Sequence, residues 1–355
     1  MKRSIILSII LLAAVSSMAT VIDVPGDYSN IQAAINASSN GDTVLVQPGT
    51  YYQNIDFNGH IVVLGSQFLT TGNADYIATT IIDGANAGSV LTLTSGETSA
   101  AKIIGFTIRS GDNICGGGIY CSGSHPTICD NVIAGNTAHP DINWNGLGGG
   151  IYCYESNITL KNNVICFNEA YYNGGGIYIY NSSTTFLNNI SWGNNAMYGG
   201  AISCDGSSTL PITNSIFWAN NGSELGDELY LDDAVWAIIN YCNIAGEIWP
   251  GDGNISTDPL LRDPANGDFH LMATVCGDPQ DSPCIDAGDP NILDANEDCN
   301  RGLGEIRSDM GAYGGTIVGI PVPTLSEWGL IILSLLLLAA RTAALIQRRR
   351  TLRTE

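Results

Sequence analysis

Four residues near the C-terminus have the spacing of metal ligands: Asp294, Asn296, Asp298 and Glu305. They occupy the first, third, fifth and twelfth places of one segment, as the ligands of a calcium-binding loop do. Cys299 stands at the sixth place, where such a loop needs glycine, and nearby Pro290 argues against flanking helices. We therefore expect either a calcium site of another geometry or a solvated acidic turn. Calcium is the one cofactor that the sequence suggests.

Two tryptophans could bind the ring faces of sugars. Trp192 and Trp218 recur at the same place of a repeated segment, so they are expected to lie one strand apart. Tyr171, Tyr172 and Tyr198 lie in nearby turns. If these rings face outward, they form a stacking platform for carbohydrate. The alternative is that the two tryptophans pack beneath the turns.

The ten cysteines could form disulfides if the chain is exported. Cys276 and Cys284 bracket a short loop and are the predicted bridge. Cys121, Cys153 and Cys204 recur at one place of the repeat. A column of thiols one strand apart lacks the tetrahedral convergence that a metal centre needs, so we expect a small apolar stripe there.

The charge of the chain excludes one class of partner. Residues 20–322 hold six Lys and Arg residues against 32 Asp and Glu residues, a net charge of −26, whereas the whole chain carries −21. A polyanion would be repelled, and few cations are available to displace its counterions, so no nucleic acid is expected to bind. The negative charge of residues 20–322 is better matched by calcium ions or by a salt-containing medium.

A repeat with a period near 26 residues runs through the middle of the chain. Its copies begin at residues 105, 130, 162, 188, 214 and 240 and read GFTIRSG, DNVIAGN, NNVICFN, NNISWGN, NSIFWAN and NYCNIAG. The successive starts are 25, 32, 26, 26 and 26 residues apart, and the long interval contains a polar insertion at 137–147. Short β-branched runs separated by Gly and Asn predict a β-solenoid and not a helical one.

Each coil of that solenoid is expected to have three short strands and three turns. Coils stacked about 4.8 Å apart pair each strand with its own copy in the next coil and build one continuous core. Repeated glycines, such as those at 116–118 and 174–176, should turn a corner with positive φ. Asn131, Asn163 and Asn189 are expected to bond amide to amide along the axis. The predicted inward column of the second strand is Ile128, Leu160, Phe186, Ile212 and Ile238.

These features resemble the right-handed parallel β-helix of the pectin-lyase-like superfamily, and the resemblance extends to about Leu271. Residues 22–57 resemble that family's N-terminal cap, in which a short amphipathic helix precedes the first strand, here at 43–47. Ile31, Ala34 and Ile35 share one face of that helix. The segment from residue 258, which includes SPCIDAGDP and DMGAYGG, resembles the closing module of bacterial surface β-helix proteins and is expected to cover the last open coil.

The expected fold class is therefore all-β, a right-handed parallel β-helix with a short N-terminal capping helix and a C-terminal capping module. The right-handedness is implied by the family resemblance. The expected divisions of the chain are a signal peptide at 1–19, the β-helix with its cap at 20–271, the closing module at 272–320 and a sorting signal at 321–355.

Both ends of the chain read as sorting segments. At 1–19 a basic start is followed by an apolar run too short to span a bilayer, which predicts a cleaved signal peptide. Pro323, Thr324 and Leu325 precede an apolar stretch at 329–346 and an arginine cluster. This arrangement resembles the bacterial IPTL-CTERM sorting signals. The resemblance implies a membrane helix used at least transiently and a sorting protease-transpeptidase as partner; a plain single-pass anchor is the alternative.

We assign no catalytic residue. Lyases on this fold need an acidic calcium cluster with an Arg or Lys base, and hydrolases need converging carboxylates. Arg109 stands alone in a strand, and the carboxylates differ in repeat position: Asp83, Asp112, Asp130 and Asp205. We expect an exported, surface-displayed protein with a structural role or one that binds extracellular glycan or matrix. The alternatives are a polysaccharide lyase or glycoside hydrolase, so enzymatic activity stays open, and a passive surface spacer.

Overall fold

The strands stack into long parallel sheets. The computed structural model describes residues 19–142, 145–294, 299 and 302–315. Four sheets, named A to D below, contain parallel pairings between successive coils, and two further strands near the C-terminal end pair antiparallel. The predicted all-β architecture, a right-handed parallel β-helix, is confirmed.

Sheets A and B are the two longest. The strands of sheet A are Val21–Val24, Thr43–Val46, Val63–Ser66, Lys102–Ile104, Thr127–Cys129, Thr159–Lys161, Thr185–Leu187, Thr209–Thr213 and Trp236–Asn240. The strands of sheet B are Gly49–Tyr52, Thr80–Asp83, Thr107–Arg109, Val132–Ala134, Val164–Cys166, Ile190–Trp192, Ile216–Trp218 and Asn243–Ile244.

Sheets C and D complete the coils. The strands of sheet C are Ile55–Asp56, Leu91–Leu93, Ile119–Ser122, Ile151–Tyr154, Ile177–Tyr180, Ile202–Asp205 and Leu229–Leu231. The strands of sheet D are Asp112–Asn113, Thr137–Ala138, Glu169–Ala170, Asn195–Tyr198 and Asn221–Leu225. The other elements are helices at Ile31–Ala37, Phe68–Thr71 and Asp75–Thr79, 3-10 turns at Pro264–Asn266 and Thr274–Cys276, and antiparallel strands at Leu261–Asp263 and Asp268–Leu271.

The middle coils have four strands, so the prediction of three is wrong by one. From residue 159 to residue 180 the chain passes through sheets A, B, D and C in turn. Sheet D could not be predicted from the sequence, because several of its strands are only two residues long. Its one apolar column is a row of three alanines, which gives little periodic signal: Ala138, Ala170 and Ala196.

The inward side chains form one continuous core. The isoleucines that open the strands of sheet C stack in register and are buried: Ile119, Ile151, Ile177 and Ile202. The cysteine column is in register as well, with Cys121 beside Cys153 and Ile179 beside Cys204. Burial raises the pKa of Cys153 to about 11 and that of Cys204 to about 12. These thiols therefore stay protonated and behave as small apolar groups.

The inward column of sheet A ends at a different residue from the predicted one. Its first four members stack as expected, but Ile212 pairs with Ile239. Ile238 was predicted from a strict 26-residue period, and the last coil is one residue longer. A one-residue shift moves a side chain to the opposite face of a strand, so Ile238 is 44% exposed and Ile239 only 4% exposed.

The helix Ile31–Ala37 closes the N-terminal end of the core, as predicted. Asn30 caps it, because its side-chain oxygen accepts a hydrogen bond of 2.8 Å from the Ala33 amide. The three predicted apolar residues of the helix are fully buried in the main core cluster. The strand Val21–Val24 precedes this helix and pairs with Thr43–Val46, so the stack begins one strand earlier than expected.

Buried amides hold the turns between the sheets. Between sheets A and B, Asn163 donates from Nδ2 to Asn189 Oδ1 at 3.1 Å, and Asn131 donates in the same way to Asn163 at 3.2 Å. This confirms the predicted ladder. A second, unpredicted ladder lies between sheets B and D, with amide bonds of 2.8 to 2.9 Å, and consists of Asn136, Asn168, Asn194 and Asn220.

The C-terminal segment, which comprises the described residues from 258 to 315, packs along the outer face of sheet B. Phe269, Leu271 and Met310 are buried in one cluster with Ile190 and Ile216 of that sheet. Hydrogen bonds fix the contact: Asn188 donates from Nδ2 to the Asp309 carbonyl at 2.9 Å, and the Gly311 amide donates to the Asn214 carbonyl at 2.7 Å. The last coil exchanges backbone hydrogen bonds with residues 252–255, which precede this segment: the Tyr241 and Ile244 amides donate to the Asp252 and Ile255 carbonyls, and the Ile255 amide donates to the Cys242 carbonyl.

The disulfide differs from the predicted one. Cys276 pairs with Cys299, 23 residues away, and not with Cys284. Cys284 is fully buried between the C-terminal segment and the solenoid, where the Asn243 side chain donates to its sulfur at 3.2 Å. Short sequence separation suggested the wrong partner because the buried position of Cys284 is set by tertiary packing.

Candidate carbohydrate-binding surface on sheet C

The outward face of sheet C carries two rows of tyrosines, which we call the tyrosine rows. The strands read IYCS, IYCY and IYIY, so the first and third residues enter the core and the second and fourth face outward. In-register pairing aligns the outward residues into a first row, Tyr120, Tyr152 and Tyr178, and a second row, Tyr154 and Tyr180.

The rings of each row stack along the axis of the solenoid. The centroids of Tyr120 and Tyr152 are 5.2 Å apart with an interplanar angle of 1°, and those of Tyr152 and Tyr178 are 5.7 Å apart with an angle of 24°. Tyr154 and Tyr180 stack at 5.5 Å and 7°. The two rows also meet, because the ring centroids of Tyr152 and Tyr154 lie 6.3 Å apart and the ring planes are parallel within 2°.

This geometry orders the phenol hydroxyls. Within a row the ring faces are occupied by neighbouring rings, so the rows offer hydroxyl groups repeated at about the strand spacing of 4.8 Å. Burial raises the pKa values of Tyr120, Tyr152 and Tyr178, so these phenols remain protonated at neutral pH. Each can both donate and accept a hydrogen bond.

A second aromatic group borders the rows on the side of sheet D. Tyr172 and Tyr198 meet edge to face with centroids 5.3 Å apart, and Tyr198 and Tyr230 lie at the same distance with a tilt of 47°. Tyr171 and Tyr172 are 37% and 39% exposed, so part of this group is open to solvent. Aromatic faces of this kind bind the apolar faces of sugars.

The first row is interrupted at Ser203, which lies in register between Tyr178 and Tyr230. The second row ends at Asp205, which lies in register with Tyr180. Asn173 donates from Nδ2 to the Asp205 carboxylate at 3.3 Å. Ser203, Asp205 and Asn173 form a polar gap among aromatic rings, which we call the notch.

The charge at the notch is negative. Burial raises the pKa of Asp205, while the Tyr178 hydroxyl and the Asn173 amide oppose that shift and the Asp232 charge adds to it. None of the seven strands of sheet C contains Lys, Arg or His. The notch therefore combines a half-buried carboxylate with aromatic walls and no basic residue on its own sheet.

The predicted tryptophans lie on sheet B. Trp192 and Trp218 pair directly in register, which confirms that they lie one strand apart. Both pack against the C-terminal segment, and Trp192 meets Phe269 edge to face at 6.4 Å. Their assignment to carbohydrate stays a prediction. Both tryptophans are partly buried under the C-terminal segment. On sheet C, Tyr178 is only 7% exposed, whereas the other four tyrosines of the rows are partly exposed.

The predicted calcium ligands are only partly within the described residues, since Asn296 and Asp298 lie outside them. The Asp294 amide donates to the Ile306 carbonyl at 3.1 Å, and the Glu305 amide donates to the Asp286 carboxylate at 2.8 Å. Across the described ranges, no group of three or more His, Cys, Asp or Glu residues has the arrangement of a metal site. Calcium binding at this segment stays a prediction.

The charged residues considered for catalysis are divided among sheets B, C and D and a turn. Arg109, on sheet B, binds Asp83 of the preceding coil at 2.9 Å. Asp112, on sheet D, contacts His139 at 2.6 Å, and Asp130 lies in the turn between sheets A and B. Asp205 alone among these carboxylates lies on sheet C. Apart from the ion pair between Arg109 and Asp83, the structure does not bring these residues together.

Sequence reasoning missed the tyrosine rows. The signal was present as the alternation of Ile and Tyr after each triple glycine, at 119–122, 151–154 and 177–180. In a strand with one buried face, residues two apart share a face, so the pattern places every tyrosine outward. The notch could not be predicted in this way, because Asn173 belongs to a turn and reaches Asp205 across coils.

Comparison with known families identifies the C-terminal end. The family model described as the IPTL-CTERM motif matches residues 320–350. The chain carries an IPTL-CTERM motif. This motif indicates an exported protein that is sorted to the cell surface, and it implies a C-terminal signal processed by a sorting enzyme. A search of curated proteins finds no match to the chain.

The sorting residues Pro323, Thr324 and Leu325 lie outside the described residues, as do the apolar stretch at 329–346 and the signal peptide expected at 1–19, apart from its last residue. Among the helices that the structure describes, none is both long enough and apolar enough to cross a membrane. The membrane helix therefore stays a prediction.

Proposed function

We propose that this protein is a surface-displayed parallel β-helix that binds an extracellular linear glycan along the tyrosine rows of sheet C. The observation that carries the proposal is the in-register stacking of Tyr120, Tyr152 and Tyr178 beside Tyr154 and Tyr180. A rigid β-helix repeats the same chemical group once per coil, and a linear glycan repeats its hydroxyls once per sugar. Matching repeats allow many weak contacts to add along the polymer.

The aromatic group at Tyr172, Tyr198 and Tyr230 supplies exposed ring faces, which the tyrosine rows lack. The rows offer ring edges and hydroxyls, whereas this group is edge-to-face or tilted and leaves ring surface partly exposed. Sugar recognition combines hydrogen bonds to hydroxyl groups with stacking on apolar ring faces. Both contributions are available on one side of the solenoid.

Export completes the proposal. The IPTL-CTERM motif supports display at the cell surface, where extracellular polymers are within reach. We propose that residues 1–19 direct export and that the apolar stretch at 329–346 holds the chain in the membrane until the sorting enzyme acts. The β-helix then remains at the surface with sheet C free to bind.

Co-sedimentation with insoluble polysaccharides tests the proposal. The full-length protein is incubated with cellulose, chitin and deacetylated chitin, and with a polyuronate gel with and without calcium. We expect binding to at least one polymer and a loss of about tenfold or more in the Tyr154→Ala/Tyr180→Ala variant. The matched control is Tyr52→Ala, because Tyr52 is 70% exposed on sheet B, away from the rows. Equal binding by all three proteins, or no binding at all, overturns the proposal.

The same samples decide between binding and catalysis. New reducing ends or unsaturated products in the supernatant favour a glycoside hydrolase or a polysaccharide lyase, respectively. Retention on the polymer without new chain ends favours a binding protein. A passive spacer shows neither retention nor cleavage.

A further inference from the structure

The notch contains hydrogen-bond acceptors that lack donors. Ser203 is fully buried and Asn173 is 8% exposed. Ser203 Oγ and Asn173 Oδ1 have no hydrogen-bond partner in the part of the chain that the structure describes. A buried polar group without a partner costs about 1–3 kcal/mol, so such groups are rare in native proteins and call for a physical explanation.

These atoms are close to the Asp205 carboxylate. Ser203 and Asp205 alternate along one strand with Ile202 and Cys204, which are buried in the core, so both side chains lie on the outward face. The Asn173 amide is bonded to Asp205 at 3.3 Å through Nδ2, which places its Oδ1 near the same carboxylate. The notch therefore gathers a hydroxyl oxygen, an amide oxygen and a carboxylate.

The surroundings favour a positive charge. Asp232 follows the neighbouring strand in the next coil, and its amide donates to the Cys204 carbonyl at 3.0 Å, so a second carboxylate borders the notch. Tyr178 and Tyr180 precede the notch in the two rows, and Tyr230 follows it. Aromatic rings attract cations through their negative faces. An ammonium group has three donors and no acceptor, which matches three kinds of acceptor oxygen.

We propose that the notch binds the ammonium group of a deacetylated amino sugar within the glycan that follows the tyrosine rows. The proposal rests on the proposed function, since the tyrosine rows hold the polymer and the notch selects one substituent on it. The ammonium donates to Asp205, Asn173 Oδ1 and Ser203 Oγ. Because Ser203 is buried, a neighbouring side chain has to move to admit the ammonium, and Tyr230 is the ring in register with Ser203 in the next coil. An acetylated or neutral sugar leaves the carboxylate without its cation.

Calorimetric titration of the full-length protein with soluble pentamers tests the selection. The three pentamers consist of glucosamine, N-acetylglucosamine and glucose. We expect the glucosamine pentamer to bind at least tenfold more tightly than the other two, with an affinity that falls as salt increases. In Asp205→Asn that preference should disappear while affinity for the neutral pentamers stays within about twofold. Asp233→Asn is the control, because Asp233 is an exposed neighbour and the substitution makes the same change in net charge.

A second variant separates recognition from folding. Ser203→Ala removes a buried hydroxyl that lacks a partner, so it should leave the protein at least as stable to denaturant while lowering its affinity for the glucosamine pentamer several-fold.

The outcomes distinguish the two proposals. Equal affinity of wild type for charged and neutral pentamers, or unchanged selectivity in Asp205→Asn, overturns the notch assignment and leaves the proposed function intact. If no pentamer and no polysaccharide binds, both proposals fail. A tetralysine peptide that binds as tightly as the glucosamine pentamer, and depends equally on Asp205, overturns the amino-sugar assignment.

Discussion

Buried asparagines in this protein act as a continuous chain of hydrogen bonds. Asn163 shows how one residue serves three coils: its Nδ2 donates to the Ile128 carbonyl at 2.8 Å and to Asn189, while its Oδ1 accepts from the Asn131 backbone amide at 3.1 Å. The side chain thus satisfies backbone groups that the turn leaves without strand partners. Stacking makes the same solution available in every coil.

Replacing Asn163 by alanine should destabilise the protein by about 2–5 kcal/mol, because two or more buried groups lose their partners at about 1–3 kcal/mol each. Urea unfolding followed by circular dichroism measures the change. Asn36→Ala is the control: Asn36 is exposed on the capping helix, and the substitution should change stability by less than about 0.5 kcal/mol. A loss below about 1 kcal/mol at Asn163 contradicts the role given to the ladder.

The second ladder ends on an acid, Glu228, which is 5% exposed. Asn220 donates to this carboxyl group from Nδ2 at 2.5 Å and from its backbone amide at 3.4 Å. Burial raises the pKa of Glu228 from 4.5 to about 7, although the Asn220 bonds oppose the shift. The folded protein therefore binds this proton more tightly than the unfolded chain, and the resulting stability is present at low pH and lost as pH rises from about 4.5 to about 7.

Glu228→Gln should remove this pH dependence. The neutral amide keeps an acceptor for Asn220, so the variant should match wild type near pH 4.5 and be more stable by about 1–3 kcal/mol at pH 8. Urea unfolding of both proteins at a series of pH values measures the difference. Burial also raises the pKa of Asp309 to about 7. Its pH-dependent contribution to the free energy of unfolding is the same in both proteins, so it does not affect the difference between them. A difference that does not vary with pH contradicts the argument.

At the scale of elements, the repeated glycines allow the coils to stack at the corner before sheet C. Gly174 has a φ of +67°, which side chains rarely tolerate, as predicted for this corner. Gly175 serves a different purpose, because a Cβ there would lie 2.5 Å from the Asn195 carbonyl oxygen in the next coil. The triple glycine thus combines one conformational requirement with close approach between backbones.

Gly175→Ala should destabilise the protein by about 2–4 kcal/mol, since backbone atoms of the next coil must move to admit the methyl group. Gly123→Ala is the matched comparison: Gly123 has a φ of +63° but nothing within 4 Å of the added Cβ, so only the conformational cost of about 1–2 kcal/mol applies. Thermal and urea unfolding of the two variants rank these costs. The opposite ranking contradicts the close-approach argument.

Most of the solenoid could be predicted from the sequence because in-register stacking turns a repeated residue into a repeated contact. The cysteine column and the first asparagine ladder follow from that rule. Where an element breaks the period, prediction fails: Ile238 was misplaced by one residue, and the two-residue strands of sheet D gave no pattern. The disulfide and the notch depend on contacts between distant segments, which periodicity does not encode.

At the scale of the whole molecule, sheets B and C differ in whether the C-terminal segment packs against them. The later strands of sheet B are covered by the C-terminal segment, which buries Ile190, Ile216 and part of Trp192 and Trp218. The tyrosines of the rows on sheet C are not part of the cluster that the C-terminal segment forms; four of the five are partly exposed and Tyr178 is buried. A chain with a net charge of −26 over residues 20–322 repels its own copies. This charge favours separate solenoids at the surface over self-association, and it leaves sheet C available.

Surface display should depend on the sorting motif. In a bacterium that processes IPTL-CTERM proteins, replacing Pro323, Thr324 and Leu325 together by alanine should keep the apolar tail attached, because the sorting enzyme no longer recognises its substrate. We expect wild type to lose the tail and reach the surface, whereas the variant stays in the membrane fraction at the mass of the unprocessed chain after signal removal. Mass spectrometry of both fractions and surface proteolysis measure this. Thr316→Ala, just upstream of the matched residues, is the control, and normal release of the triple variant contradicts the prediction.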